Sequence, residues 1–353
     1  MPIARCGWVM TLALTVAGLA TAQEVPRASP AVAAEVPSAA AQAQMLQLLQ
    51  QQSLYRDRVD WSRLRADLAA ATDATRQRAL LDAAIRTSSD GHGRWISAQQ
   101  LRNGAGHAKA TQAAMQAAPE TSSATKADGG PTTQLGWIAV DTYLNDHTQS
   151  RAQINQASTR AAIALQARIR DQDDGRRCGW IVDLRGNRGG NMWPMLLGVG
   201  PLLGDARGAD PLGMFLSGGQ RQPWAYRDGA AWVDNRPVVG SRETAYALRQ
   251  PGAPVAVLFG ARTASSGEAL VLAFRGRLAA RSFGQPSAGF STANTTPMLA
   301  DGSLLLLTRS VSADRTGAGD GHKLQPDVTL PEGEDAAVAA RAWLLAQPAC
   351  KAP

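Results

Sequence analysis

From Met45 onward the apolar residues first follow a helical spacing. Met45, Leu46, Leu48, Leu49, Leu54 and Tyr55, then Trp61, Leu64 and Leu68, then Leu80, Leu81 and Ile85 recur at intervals of three and four. That is the period of helices burying one face, and it predicts two or three of them, the second starting near Val59-Asp60-Trp61. The region closes at Thr87-Ser88-Ser89-Asp90-Gly91-His92-Gly93, before an extended pair Trp95-Ile96. Residues 99–133 are rich in Ala, Gly, Ser, Thr and Gln, with Leu101 and Met115 as the larger aliphatics. They predict a loop or irregular insertion, with a short helix at about 108–118.

The period then alternates between short apolar runs and longer helical patterns. Runs at 135–140, 178–184, 255–259 and 278–283 predict strands, and patterns at 149–170, 192–199, 264–274 and 334–345 predict helices. Residues 204–241 carry Phe215, Trp224, Tyr226 and Trp232 among turn formers and predict a loop-and-hairpin insertion, with a short helix at 244–248. Residues 295–299 and 303–310 predict a hairpin bending at Asp301-Gly302. Strands alternating with helices indicate an α/β fold, whose sites collect at the carboxyl ends of the strands.

Composition adds limits to this pattern. The chain has 353 residues, 44% of them hydrophobic, enough for one large or two modest domains. Arg5, a short apolar run and Ala20-Thr21-Ala22 predict a secretory signal peptide over 1–22, with a retained anchor as the alternative. Pro26, Pro30 and Pro37 mark 23–42 as a flexible linker. The remaining divisions are a helical region at 43–98, the insertion at 99–133, a core at 134–335 and a terminal helix and tail at 336–353. Export implies a periplasmic or secreted protein with no stable membrane insertion after signal cleavage, and oxidising surroundings. Cys178 and Cys350 then either form a disulfide or remain separate thiols. The net charge of +7 comes from scattered Arg residues, without the dense tract or zinc-finger spacing of a nucleic-acid binder, and no CxxC cluster suggests a metal.

The candidate chemistry lies in turns. In G-A-R-T-A-S-S-G-E, Gly260 to Glu268, a strand gives way to a helix with Ser265 and Ser266 at the junction. Backbone N–H groups and the helix dipole there stabilise a developing oxyanion, the setting of a nucleophile. The alternative is that Ser265 caps the helix and Glu268 closes a capping box. His92, flanked by glycines, is either a functional base or a solvated loop residue. His147, beside Asp146, is its rival as base or else a surface turn residue, and His107 has no assigned role. Arg185 to Asn191 is a glycine-rich turn, either an anion cradle or a plain strand-to-helix connection, and lacks the spacing of a nucleotide-binding loop.

Taken in order, V-D-L-R-G-N-R-G-G (Val182 to Gly190), T-A-S-S-G-E (Thr263 to Glu268), G-Q-P-S-A-G (Gly284 to Gly289) and Q-P-D-V (Gln325 to Val328) resemble the motifs of the C-terminal-processing, or tail-specific, serine peptidases of family S41. The resemblance covers about 135–330, and Asp90-Gly91-His92 resembles the histidine motif of the tricorn-core-like branch. It implies a ClpP/crotonase-like core under an N-terminal helical cap. It also implies Ser265 as nucleophile, and an oxyanion hole from Gly189 or Gly190 with Ser266. Phe290 occupies the position where many relatives have a catalytic lysine. A phenyl ring cannot accept a proton, so His92 becomes the candidate base, with Asp320 as its tentative orienting acid unless the pair acts as a dyad. Asp327 is expected to be structural. Residues 99–133 are too few for the PDZ module of the lysine branch, and G-N-M-W-P-M-L-L-G resembles exported members that cleave lantibiotic peptides. The implied function is an exported serine endopeptidase acting on a peptide or unfolded polypeptide without metal or cofactor. A non-catalytic peptide binder and an ester or thioester hydrolase are the alternatives, and the oligomeric state is open.

Overall fold

The computed structural model describes residues 35–116, 134–204 and 211–351. The signal peptide expected over 1–22, most of the linker and the second half of the 99–133 insertion lie outside the described residues. Among the described residues no helix is long and apolar enough to cross a membrane.

Three helices open the described chain: α1 (Ala39–Gln52), α2 (Trp61–Ala70) and α3 (Ala74–Ser89). Helix α1 starts inside the expected linker, where Ser38 caps it by accepting from Ala41 N–H. The apolar faces read from the sequence converge. Met45, Leu49, Leu64, Leu68, Leu81 and Ile85 form one buried cluster with Trp95, Leu299, Leu305 and Leu307. After β1 (Arg94–Ile96) comes α4 (Ala98–Gln116), where the sequence suggested mainly loop. Two signals account for the difference. Ala, Gln and Lys are strong helix formers, and Ser97 and Gln100 make a reciprocal capping box, Gln100 N–H donating to Ser97 Oγ at 3.1 Å and Ser97 N–H to Gln100 Oε1 at 3.0 Å.

The core is built on a parallel sheet in the order β12-β9-β8-β3-β2, from β2 (Leu135–Ala139), β3 (Gly179–Asp183), β8 (Val255–Phe259), β9 (Ala280–Gly284) and β12 (Val328–Thr329). Its central strands are apolar throughout because both faces are covered. Trp180, Val182, Val255, Val257 and Phe259 face the main core with α5 (Arg151–Gln172), α6 (Met192–Gly198), α7 (Gly200–Leu203) and α8 (Ser266–Phe274). Ile181, Ala256 and Leu258 face α9 (Ala336–Leu345). From 211 onward the 204–241 region is an antiparallel meander, β4 (Gly213–Ser217), β5 (Gln220–Arg227), β6 (Ala230–Val233) and β7 (Arg236–Gly240), whose Trp224 is buried in the main core. The expected helix at 244–248 is instead one 3-10 turn over Arg242–Thr244.

The second sheet joins cap to core. Its long strand β11 (Leu304–Asp314) pairs with β1 near one end, β4 near the other and β10 (Thr292–Thr295) between them. The predicted hairpin is present with its bend at Asp301-Gly302, but its partner strand lies slightly earlier than the sequence pattern placed it. A fold of this kind is mixed α/β with N-terminal helices over central sheets.

Cys178, just before β3, is bonded to Cys350 in the short terminal helix α10 (Pro348–Lys351), so the thiols left open by the sequence are a disulfide. The bridge spans a sequence separation of 172 residues. Closing so long a loop restricts the unfolded chain, a stabilisation of about 2–5 kcal/mol. Cys350→Ser protein, and wild type in reductant, are expected to show a lower melting temperature with unchanged far-ultraviolet dichroism before melting; calorimetry with and without dithiothreitol measures the difference.

Candidate active site

Ser265 lies where β8 gives way to α8, and Thr263 holds the turn between them. Its hydroxyl donates to the Leu184 carbonyl at 2.9 Å and accepts from Gly260 N–H at 3.1 Å. Ala264 N–H donates to the Asn187 carbonyl at 3.0 Å, fastening the turn to the glycine-rich segment after β3. Ser265 itself has φ 54° and ψ −117°, a region a residue with a Cβ normally avoids. Glu268 accepts from Ser265 N–H at 2.6 Å, so part of the expected capping geometry is present. The Ser265 Oγ lies 3.0 Å from His92 Nε2.

Glu268 is fully buried and is bonded to donors from two turns. Besides Ser265 N–H, it accepts from Ser287 Oγ, from Gly289 N–H at 2.9 Å and from Phe290 N–H at 2.9 Å. Burial pushes its carboxyl above the ordinary range, while these four donors act in the opposite direction. Ser287 also accepts from Leu324 N–H at 2.8 Å, so the G-Q-P-S-A-G segment is stapled both to the Ser265 turn and to the segment leading to Asp327. Asp327 accepts from Ser282 N–H and Oγ at 2.8 and 2.7 Å, a structural tie to β9.

His92 reaches the site from the cap. Helix α3 ends at Ser89, Asp90 takes a left-handed conformation, and the N–H groups of Gly91 and His92 turn back to the carbonyls of Arg86 and Ser89. The ring is held on three sides. Nε2 faces Ser265, Nδ1 lies 2.6 Å from Thr292 Oγ1, and the Phe290 ring packs with its centroid 5.2 Å away. Burial, and secondarily the Arg94 guanidinium, push the imidazole from 6.5 down to about 4.

Asp320 does not occupy the expected position beside His92. It is exposed at the surface and accepts from His322 N–H at 2.9 Å within its own turn, and Thr292 stands on the imidazole instead. The short polar turn containing Asp320 satisfies its own backbone, leaving the side chain in solvent. His147 is half-buried beside Asp146, and His107 is exposed on α4; the imidazole against Ser265 is that of His92.

The two candidate oxyanion glycines differ. Gly189 N–H donates to Asn187 Oδ1 at 2.8 Å and is therefore engaged within the turn. Among the described residues the N–H groups of Gly190 and Ser266 have no such partner. They are brought together by Ser266 Oγ donating to the Gly190 carbonyl at 2.6 Å. Both glycines are needed for closeness as well as for positive φ. A Cβ on Gly189 would meet Ser265 Cβ at 2.8 Å, and one on Gly190 would meet the Tyr143 carbonyl oxygen at 2.0 Å.

Two supporting residues were not singled out from sequence. Asn187 is buried, donates to the Val140 and Asp141 carbonyls at 3.1 and 3.2 Å, and links three loops at the sheet edge. Its position between glycines was a signal, but only the fold shows which backbone groups it bridges. Thr292 sits in a stretch of small polar residues with no distinguishing pattern.

A serine hydroxyl against an imidazole, with free N–H groups at the carboxyl edge of a parallel sheet, is the arrangement of a serine hydrolase. Residues 151–330, just over half of the 353, match the family described as Peptidase family S41, and the chain belongs to that family. The match includes Ser265, Gly190 and Thr292 but starts after His92. The chain is similar to a nisin-resistance protein from Lactococcus lactis subsp. lactis, 33% identical over 171 residues, or 48% of this chain and 50% of that protein. It thus spans about half the length of the curated relative it matches. A lipoprotein structure from Streptococcus agalactiae aligns over 88% of this chain and 97% of its own at 22% identity, with a TM-score of 0.63. The photosystem II D1 C-terminal processing protease aligns over 89% and 99% at 15% identity, with a TM-score of 0.52. These two likenesses concern the fold.

Removing the Glu268 carboxylate would leave four donors without an acceptor, at about 1–3 kcal/mol for each that water does not reach. Glu268→Ala is therefore expected to lower the urea midpoint of unfolding with little change in slope, as read by tryptophan fluorescence.

Proposed function

We propose that this chain is an exported serine endopeptidase that cleaves peptides or unstructured polypeptide tails through an acyl-enzyme. The observation that carries the proposal is the 3.0 Å approach of His92 Nε2 to Ser265 Oγ, made by residues 173 positions apart on the cap and the core. Ser265 Oγ attacks the scissile carbonyl as His92 Nε2 takes its proton. The N–H groups of Gly190 and Ser266 receive the oxyanion, and the imidazolium then protonates the leaving amine. Water, deprotonated by the same imidazole, releases the acyl group from Ser265.

Phe290, in place of the lysine of other relatives, supplies a covering ring and no proton acceptor. The proposed core is ClpP/crotonase-like, supported by the oxyanion donors at the junction of a parallel strand with a helix. Because His92 comes from the cap and Ser265 from the core, a substrate peptide would lie across the seam between them. The name of the Lactococcus relative makes nisin-type peptides the first substrates to assay.

Incubation with a diverse peptide library is expected to give cleavage that Ser265→Ala and His92→Ala each reduce by at least about 10³-fold, and that Asp320→Asn leaves within about twofold. Full hydrolysis by either alanine variant would refute the mechanism. The low proton affinity of His92 carries a second expectation. A base must be neutral to act, so kcat/KM should hold as pH falls through 6.5 and decline only near pH 4, measured on a peptide without ionising groups of its own.

A further inference from the structure

Thr292 stands where a serine–histidine pair commonly has an orienting carboxylate. Its Oγ1 is 2.6 Å from His92 Nδ1, and the residue is buried in β10, paired with Val311 of β11. Asn294 of the same strand donates to the His92 carbonyl at 3.5 Å and accepts from Thr308 Oγ1 at 2.6 Å. One short strand therefore holds the histidine by ring and by backbone. The charged groups nearby are arranged otherwise. Asp90 pairs with Arg58 at 3.0 Å, Asp320 faces solvent, and Arg94 is the charge acting on the imidazole.

We propose that Thr292 is the positioning residue of the catalytic pair, accepting a hydrogen bond from His92 Nδ1–H and so keeping the Nε2 lone pair toward Ser265 Oγ. The inference rests on the peptidase reading above. A hydroxyl can both donate and accept, so the geometry alone admits the reverse tautomer, in which Thr292 donates to Nδ1 and Nε2 carries the hydrogen. That tautomer cannot take the Ser265 proton. In the proposed one, Nδ1 keeps its hydrogen throughout: the Ser265 proton goes to Nε2 and then to the leaving amine, and Thr292 neither gains nor loses one. The oxygen offered to the imidazolium is neutral, so it orients the ring with less charge stabilisation than a carboxylate supplies. Burial and the Arg94 guanidinium then keep the imidazole unprotonated to low pH.

The test combines nitrogen-15 spectra of the histidine-labelled protein, with His92 assigned by difference from His92→Gln, and peptide kinetics. Wild type is expected to carry the hydrogen on Nδ1 at pH 7. Thr292→Val should mix the tautomers and lower kcat about tenfold, with KM changed less than about twofold, while Thr292→Ser restores both readouts. A wild-type hydrogen on Nε2, an unchanged tautomer and kcat in Thr292→Val, or a Thr292→Ser protein as impaired as Thr292→Val would each overturn the assignment. If Thr292→Val does not fold, the wild-type and Thr292→Ser spectra decide. The spectra need no turnover, so an inactive wild type would count against the peptidase reading while the tautomer still tests Thr292.

Discussion

Ser265 is held in a backbone conformation that serine avoids, and the architecture around it exists to keep it there. A φ of 54° with ψ of −117° costs about 1–3 kcal/mol relative to an ordinary turn. The opposing contacts come from every side. Glu268 accepts from Ser265 N–H, Asn187 from the residue before it, and Thr263 anchors the turn to the end of β3. Gly189 permits the adjacent backbone to close in. In that conformation Ser265 Oγ lies 3.0 Å from His92 Nε2, which links a local dihedral angle to the chemistry proposed for the site.

The site is also a seam. Ser265, Gly190 and Ser266 belong to the parallel-sheet core, whereas His92 hangs from the end of a cap helix. The antiparallel strand β11 joins the two, burying Leu305 and Leu307 under the cap while pairing with β10, which carries Thr292 and Asn294. Packing of three small helices against that sheet therefore sets the distance between His92 and Ser265. The buried Glu268 acts on the other flank, bonding the segment that presents Phe290 to the imidazole.

The core elements were legible because their apolar periods are strong and their motifs mark the strand-to-helix turns. Phe290 was equally informative, since a missing lysine pointed to His92 before any geometry was known. Residues whose roles depend on partners distant in the chain were less accessible. Asp320 matched a motif position, but its turn keeps the carboxylate in solvent, and Thr292 reaches His92 only because β10 pairs with β11 in a particular register. Gly189 and Gly190 are equivalent in the sequence, and only the fold shows that Asn187 takes the N–H of Gly189. Helix α4 was legible only as a short helix at about 108–118, because its buried residues are Ala108 and Met115 and give little apolar period, although Ser97 and Gln100 marked its start.

The central claim joins one nucleophile, one base and one pair of N–H donors, and a structure of the protein after reaction with a serine-directed peptidyl phosphonate tests all three together. The account predicts phosphorus bonded to Ser265 Oγ, the phosphonyl oxygen about 2.7–3.1 Å from the N–H groups of both Gly190 and Ser266, and His92 Nε2 beside the leaving-group position. Phosphorus on another residue, or a phosphonyl oxygen directed away from those two N–H groups, would contradict it.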